Sequence, residues 1–381
     1  MENKSKSTDY LFSPSDTDNL LLILYHELIF IYDGQKWGQL YINEINLPDT
    51  DFKNLKRPGI VEISPKIIGK DFLKSFVVTG GFNPITKTCV KTVYMLNFKK
   101  NKLFDEHNKT EIVTYDCLLD FKYGDMKTNR YLHASINVEN RFLLLIGGKN
   151  EKDWLNSCEY LDLNTGKWED FSPLKSARAN FDSCYIVDQK NNRKSIFLYG
   201  GFNGPNNYAE NLIEFYNIEI NSSGKLKLDE WKNLKIVNES GLNLPKISAR
   251  FVNYDENILI IGGSDGKHML KNVYELDLTN GEINKLGELK TPRNNFHVLL
   301  RDDYIHLVGG SANKYVYTEY EIENYVEMFT FDLSNRVEST NVAALEEIFL
   351  FPIRNFGIDE YEFRQEPGFP YSSSLITKKF Y

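Results

Sequence analysis

Five times along the chain an unbroken apolar run ends in a pair of glycines: SFVVTGG at Gly80-Gly81, FLLLIGG at Gly147-Gly148, IFLYGG at Gly200-Gly201, ILIIGG at Gly262-Gly263 and IHLVGG at Gly309-Gly310. After each pair comes a loop and then a second run with strand character: VYMLNF, EYLDLNTG, LIEFYNIE, VYELDLTNG and MFTFDLSN. The alternation Tyr274-Glu-Leu276-Asp-Leu278 has period two, which predicts half-buried strands and not helices. Asn164-Thr-Gly166 and Thr279-Asn-Gly281 are hairpin signals. A third short strand follows, headed by Trp168 in KWEDF and by Trp231 in DEWKNL. Before each glycine pair an arginine precedes another short strand, at Arg57, Arg130, Arg178, Arg250 and Arg293. The unit therefore reads Arg, strand a, turn, strand b, Gly-Gly, loop, strand c, turn, strand d. Four antiparallel strands, repeated, make the blade of a propeller.

The glycine pairs recur at intervals of 67, 53, 62 and 47 residues. A kelch repeat is about 50 residues long, and extra length in loops costs little. The third unit carries Arg130, His133-Ala134, Gly147-Gly148, Tyr160 and Trp168 in one order, and by these residues the chain resembles the kelch-repeat β-propellers over residues 20–381. The first unit has no glycine pair. Leu20–Leu24, Leu28–Tyr32 and Lys36–Tyr41 read as its strands b, c and d, and the C-terminal Pro370–Thr377 as its missing strand a. The expectation is an all-β, six-bladed propeller closed by the C-terminal strand, which removes the exposed sheet edge. Residues 1–19 precede it, and insertions are expected at 220–247 and 341–368, the second including VAALEEIFLF as a short amphipathic helix.

Composition changes this picture little. Aromatic residues are 14% of the chain, with 23 Tyr and 25 Phe, which favours strands. The net charge of -8 does not suit a nucleic-acid binder, although it leaves room for local basic patches. The N-terminal segment fits neither a signal peptide nor a mitochondrial presequence. Leu20–Tyr32 is interrupted by His26 and Glu27 and is too short to span a bilayer. Cys89, Cys117, Cys158 and Cys184 have no CxxC spacing, as expected in a reducing compartment.

The glycine pairs are not phosphate loops, since no Lys-Ser/Thr follows them. Family geometry implies that Arg57, Arg130, Arg178, Arg250 and Arg293 stand at one height near one mouth of the central channel, as a partial ring. Guanidinium forks match carboxylates bidentately, and the competing reading pairs each arginine with a neighbouring blade. Loops between strands b and c are the second candidate surface, Phe202–Leu212 and Ser311–Tyr325, the latter setting Tyr315, Tyr317, Tyr320 and Tyr325 among Glu319, Glu321 and Glu323. Catalytic signals are poor: the six histidines occupy different repeat positions, and only His297 and His306 fall within one unit at strands a and b. The resemblance implies a non-catalytic scaffold without cofactor or metal. It would bind a protein or peptide, with an acidic segment as one candidate, on one propeller face, as a cytoplasmic adaptor or as a subunit of a larger, for example cytoskeletal, assembly. No nucleic-acid or membrane partner is expected. The alternative is a kelch-like enzyme, or a module binding a carbohydrate or other small ligand, with its site in the central channel.

Overall fold

The computed structural model describes residues 52–301 apart from 53–54, 68–71, 106–109, 121–122, 189, 206, 210–211, 239, 255–256, 290–291 and 295, and beyond that span the strands at 21–25, 28–32, 37–43, 304–308, 326–330 and 374–376. Strands dominate, and no helix among the described residues is long and apolar enough to cross a membrane. The third unit is a four-stranded antiparallel meander of Ala134–Val138, Phe142–Ile146, Cys158–Asp162 and Lys167–Phe171. The fourth (from Asp182–Asp188) and fifth (from Arg250–Tyr254) repeat this order. In the sixth, His297–Arg301, Tyr304–Val308 and Val326–Thr330 pair in sequence.

First strands of successive units lie side by side: Gly59–Ile63 against Ala134–Val138, then Asp182–Asp188, then Arg250–Tyr254, then His297–Arg301. The core is therefore a series of layers between sheets. Phe142, Leu144 and Ile146 pack toward the fourth unit with Leu198, Tyr216 and Trp231. Leu143 and Leu145 pack toward the second with Val77 and Met95. Every residue of strand b thus has an apolar neighbour on one side or the other, which is why FLLLI is continuous and not alternating.

The glycine pairs join one unit to the next. Both glycines of each described pair sit at φ between 56° and 110°. The second donates its N–H to a carbonyl just ahead of the next unit's strand a: Gly81 to Arg130 at 2.9 Å, Gly148 to Arg178 at 2.8 Å, Gly201 to Lys246 at 2.9 Å and Gly263 to Arg293 at 2.7 Å. A Cβ on Gly147 would stand 2.6 Å from the Arg178 carbonyl oxygen, and one on Gly262 2.9 Å from that of Arg293. Only glycine tolerates that approach together with that φ. Gly309-Gly310 lies outside the described residues.

Two elements differ from expectation. In the second unit strand c does not stop after VYMLNF: Val93–Asp105 pairs with Thr110–Asp120 as a long hairpin. Ile42 and Asn43 pair in parallel with Cys117 and Leu118, joining the first and second units into one eight-stranded sheet. Residues 220–247 are not merely a loop. Leu226, Trp231 and Ile236 are buried, Trp231 donates to the Ser172 carbonyl at 2.9 Å, and Lys225 reaches Glu169 of the third unit at 2.6 Å. The segment seals the layer between units. Ser374–Ile376 pairs antiparallel with Leu21–Tyr25, Leu22 opposite Ile376. The expected helix in 341–368 lies outside the described residues.

Gly147→Ala is expected to destabilise the chain by about 2 kcal/mol or more, from left-handed strain plus the collision. Gly124, with nothing within 4 Å of a Cβ, is the control. Its alanine variant should keep the urea midpoint of the parent, and equal losses at both sites would contradict this origin of the glycine pairs.

Candidate functional site

The Gly-Gly end of each unit carries a small repeated structure. In the second, third and fifth units an Asn or Asp two residues past the pair caps the loop: Asn83 Oδ1 accepts the N–H groups of Ile85 and Thr86, Asn150 those of Lys152 and Asp153, Asp265 those of Lys267 and His268. The segment entering each sheet bridges to the loop after that same sheet's glycine pair, at Lys56 with Phe82, Tyr131 with Lys149, Ala179 with Phe202 and Ile247 with Ser264. The residue after each bridge has positive φ: Arg57 at 55°, Leu132 at 56°, Asn180 at 54° and Ser248 at 55°. These four are linked in turn, Leu132 N–H to Arg57 O at 3.2 Å, Asn180 N–H to Leu132 O at 3.0 Å, and Asn180 Nδ2 to Ser248 Oγ at 3.3 Å. Left-handed backbone at non-glycine residues is costly, and such strain concentrates at functional rims.

This register separates the five arginines. Arg130, Arg178 and Arg293 hold the repeat position whose carbonyl accepts the glycine N–H; Lys246 holds it in the fifth unit. Arg130 and Arg178 are fully buried and turn into their own sheets. Arg130 donates to the carbonyls of Gly147 at 2.6 Å and Ser157 at 2.9 Å and pairs with Glu159 at 2.7 Å. Arg178 donates to the Gly200 carbonyl at 2.7 Å and pairs with Glu214 at 2.6 Å. The ring at one height therefore does not form, and these two guanidinium groups do not reach the surface. The carboxylates they pair with, Glu159 and Glu214, are within the same blade.

Arg57 and Arg250 stand elsewhere. Arg57 occupies the place of Leu132, Asn180 and Ser248; Arg250, two residues past Ser248, begins strand a. Burial and the nearby Arg250 charge push the Arg57 guanidinium down to about 10. Arg250 meets Asp182 of the fourth unit at 3.5 Å and donates from Nε to the Phe296 carbonyl. The inner rim thus brings two guanidinium groups into each other's field.

Among the described residues the histidines and cysteines are not grouped as a metal site. No group of three metal-ligating side chains occurs there, and strand register puts His306 opposite Leu299 and His297 opposite Val308. His133 is buried, bonded through Nε2 to Thr79 at 3.0 Å, and burial together with Arg130 holds it well below its ordinary pKa, as neutral imidazole. Burial pushes the Cys89 and Cys158 thiols up to about 12, away from thiolate chemistry. Tyr315, Tyr317 and Tyr320 lie outside the described residues.

Two signals escaped the sequence reading. One is the Asn or Asp two places past the first four glycine pairs, at Asn83, Asn150, Asn203 and Asp265. The other is the residue opposite strand b on strand c. It is Glu where the entry arginine is present: Leu145 faces Glu159, Leu198 faces Glu214 and Leu307 faces Glu327. It is Tyr where the arginine is replaced: Val78 faces Tyr94 and Ile260 faces Tyr274, the entry residues there being Leu55 and Lys246.

The model of the KLHDC2/KLHL20/DRC7 Kelch-repeats domain matches residues 133–341, more than half of the chain. Among curated proteins, Kelch-like protein 26 of Danio rerio is 30% identical over 134 residues, 33% of this chain and 19% of that protein. Kelch repeat and BTB domain-containing protein 2 of cowpox virus (strain Brighton Red) is 26% identical over 241 residues, 63% and 38%. Kelch domain-containing protein 10 of Xenopus tropicalis is 24% identical over 220 residues, 55% and 51%. The chain thus spans between about a fifth and half of the length of these relatives.

Removing one member of a buried ion pair typically costs about 3–5 kcal/mol. Arg130→Leu alone should reach that range. Adding Glu159→Tyr, which recreates the Leu55/Tyr94 combination of the second unit, should restore at least half of the loss. Purely additive losses in a denaturation double-mutant cycle would contradict the pairing.

Proposed function

The chain belongs to the kelch-repeat family, and on that premise we propose that it is a non-catalytic interaction scaffold binding a protein or peptide on its Gly-Gly face. Kelch-repeat proteins are generally protein-interaction adaptors. In this reading residues 20–381 form one six-bladed propeller, closed by the pairing of Ser374–Ile376 with the N-terminal hairpin. It acts in the cytoplasm as an adaptor or as a subunit of a larger assembly, the cytoskeleton among the candidates. Of the five arginines, Arg57 and Arg250 face the partner, while Arg130, Arg178 and Arg293 hold the blades. Tyr315, Tyr317 and Tyr320 add the sixth blade's loop to the same surface.

One observation carries the acidic character of the partner. Arg57 is held in strained backbone within the field of Arg250, on a rim that four units build in register. Asp182 already meets Arg250 at 3.5 Å, and a guanidinium fork that takes one carboxylate also fits a carboxylate of a partner. A peptide carboxylate there gains from both.

The test is affinity purification of the tagged chain from its native cells beside an Arg57→Gln/Arg250→Gln variant of unchanged thermal midpoint. Partner recovery should fall about tenfold or more, as for loss of an interface hot spot. Undiminished recovery by the variant would remove these two arginines from the binding site.

A further inference from the structure

The Gly-Gly face carries a continuous track of rings and ammonium groups that the arginine rim does not use. It begins in the second unit at Phe82, whose ring lies 5.3 Å from Tyr131 of the third. Lys149 Nζ sits over Tyr131 at 5.5 Å and over Trp154 at 4.8 Å. Trp154 lies 6.1 Å from Phe202 of the fourth unit, and Phe202 stacks on Tyr208 at 5.4 Å. Lys246 Nζ stands 5.0 Å over Tyr208, whose hydroxyl end covers Gly266 of the fifth unit. The path crosses four units. Lys246 is exposed, Phe82, Lys149, Trp154, Phe202 and Tyr208 are half-buried, and Tyr131 is buried.

The charge pattern selects an occupant. Glu151, beside the track, accepts from the Cys89 N–H and from Asn129 Nδ2 at 3.0 Å. Asp265 accepts the Lys267 and His268 N–H groups, and these bonds bring its carboxyl down to about 2 despite partial burial. Both carboxylates thus stay ionised with their oxygens engaged by hydrogen-bond donors, Glu151 by Cys89 and Asn129 and Asp265 by its own loop, while Lys149 and Lys246 stand over ring faces along the track. In a chain of net charge -8 the track thus sets two ammonium groups among aromatic rings, beside carboxylates that are already hydrogen-bonded. Aromatic anchors supply contact area with little side-chain entropy to lose.

We propose that the Trp154–Phe202–Tyr208 rings, with Lys149 and Lys246 at either end, are the docking track for an extended polypeptide segment in which acidic residues alternate with apolar ones. The proposal rests on the reading that this face binds protein and names the part of the face and the partner's sequence character. Carboxylates of the segment meet Lys149 and Lys246; its apolar side chains lie on the exposed edges of the rings. Single-stranded RNA also combines stacking with phosphate charge, but the acidic balance of the whole chain opposes it.

A random 12-residue peptide library displayed on phage is selected against the full chain. Enriched peptides are then measured by fluorescence anisotropy on the parent, Trp154→Ala, Lys149→Gln/Lys246→Gln and Arg57→Gln/Arg250→Gln, each with its thermal midpoint verified. The proposal predicts enriched sequences mixing Asp or Glu with apolar residues. It also predicts affinity reduced about tenfold or more by Trp154→Ala and a weaker salt dependence in the lysine variant. The lysine variant keeps the test decisive if Trp154→Ala fails to fold. Acidic peptides that bind all variants equally, or that fail only on the arginine variant, would overturn the track while leaving the face as a binding surface. Basic or uncharged winners would overturn the charge assignment, and so would an oligouridylate that binds the parent more tightly than any peptide. An empty selection would overturn the track and the protein-binding reading together.

Discussion

The structure depends on one recurring contact, the N–H of a glycine donated to the carbonyl that precedes the next unit's first strand. It is made at 2.7–2.9 Å in all four described junctions. The carbonyl arrives where a Cβ would otherwise stand, so the preceding residue must also be glycine and both must take positive φ. Because the accepting carbonyl sits four residues before the start of strand a in every described junction, the contact sets the height of each sheet relative to the last. The loops after the glycines and the strained residues before strand a then fall at equivalent places. A face built this way is repetitive in backbone and free to vary in side chain, which is what a binding surface needs.

The buried Arg–Glu pairs act on the same junction from inside. Arg130 Nη1 holds the Gly147 carbonyl and its Nη2 holds Glu159, so one side chain ties strand b to strand c of its own sheet. Arg178, Gly200 and Glu214 repeat this in the fourth unit. The fifth unit replaces the pair with Lys246 and Tyr274; Tyr274 finds the Asn243 carbonyl instead, and Lys246 is released to the surface over Tyr208. A residue that is structural in one unit becomes part of the candidate binding surface in the next.

Much of the fold was legible because strand b is buried on both sides, and FLLLI and ILIIGG have no other economical reading. The glycine pairs were legible as markers, but their reason was not, since the carbonyl they meet belongs to the next unit. The arginines were misread for a related cause. Arg57 and Arg250 look like Arg130 and Arg178 in a list of arginines ahead of strands, yet the bridges place Arg57 two residues past the repeat position and Arg250 four. The deciding signal was the glutamate on strand c, 29 residues beyond Arg130 and 36 beyond Arg178. The long hairpin of 93–120 had no signal of its own, because its outer half reads as an ordinary polar strand pair.

The central claim is that the glycine contacts fuse successive sheets into one cooperative body that holds the loop face rigid. Native-state hydrogen exchange tests it directly, through the amide protons of Gly81, Gly148, Gly201 and Gly263. The account predicts that these four exchange only with global unfolding, with the same free energy and denaturant dependence as the amides of Leu144 and Ile260 in the strand cores. Exchange of the glycine amides through local opening, with little denaturant dependence and well before the strand cores, would show that the sheets are held by side-chain packing alone and would contradict it.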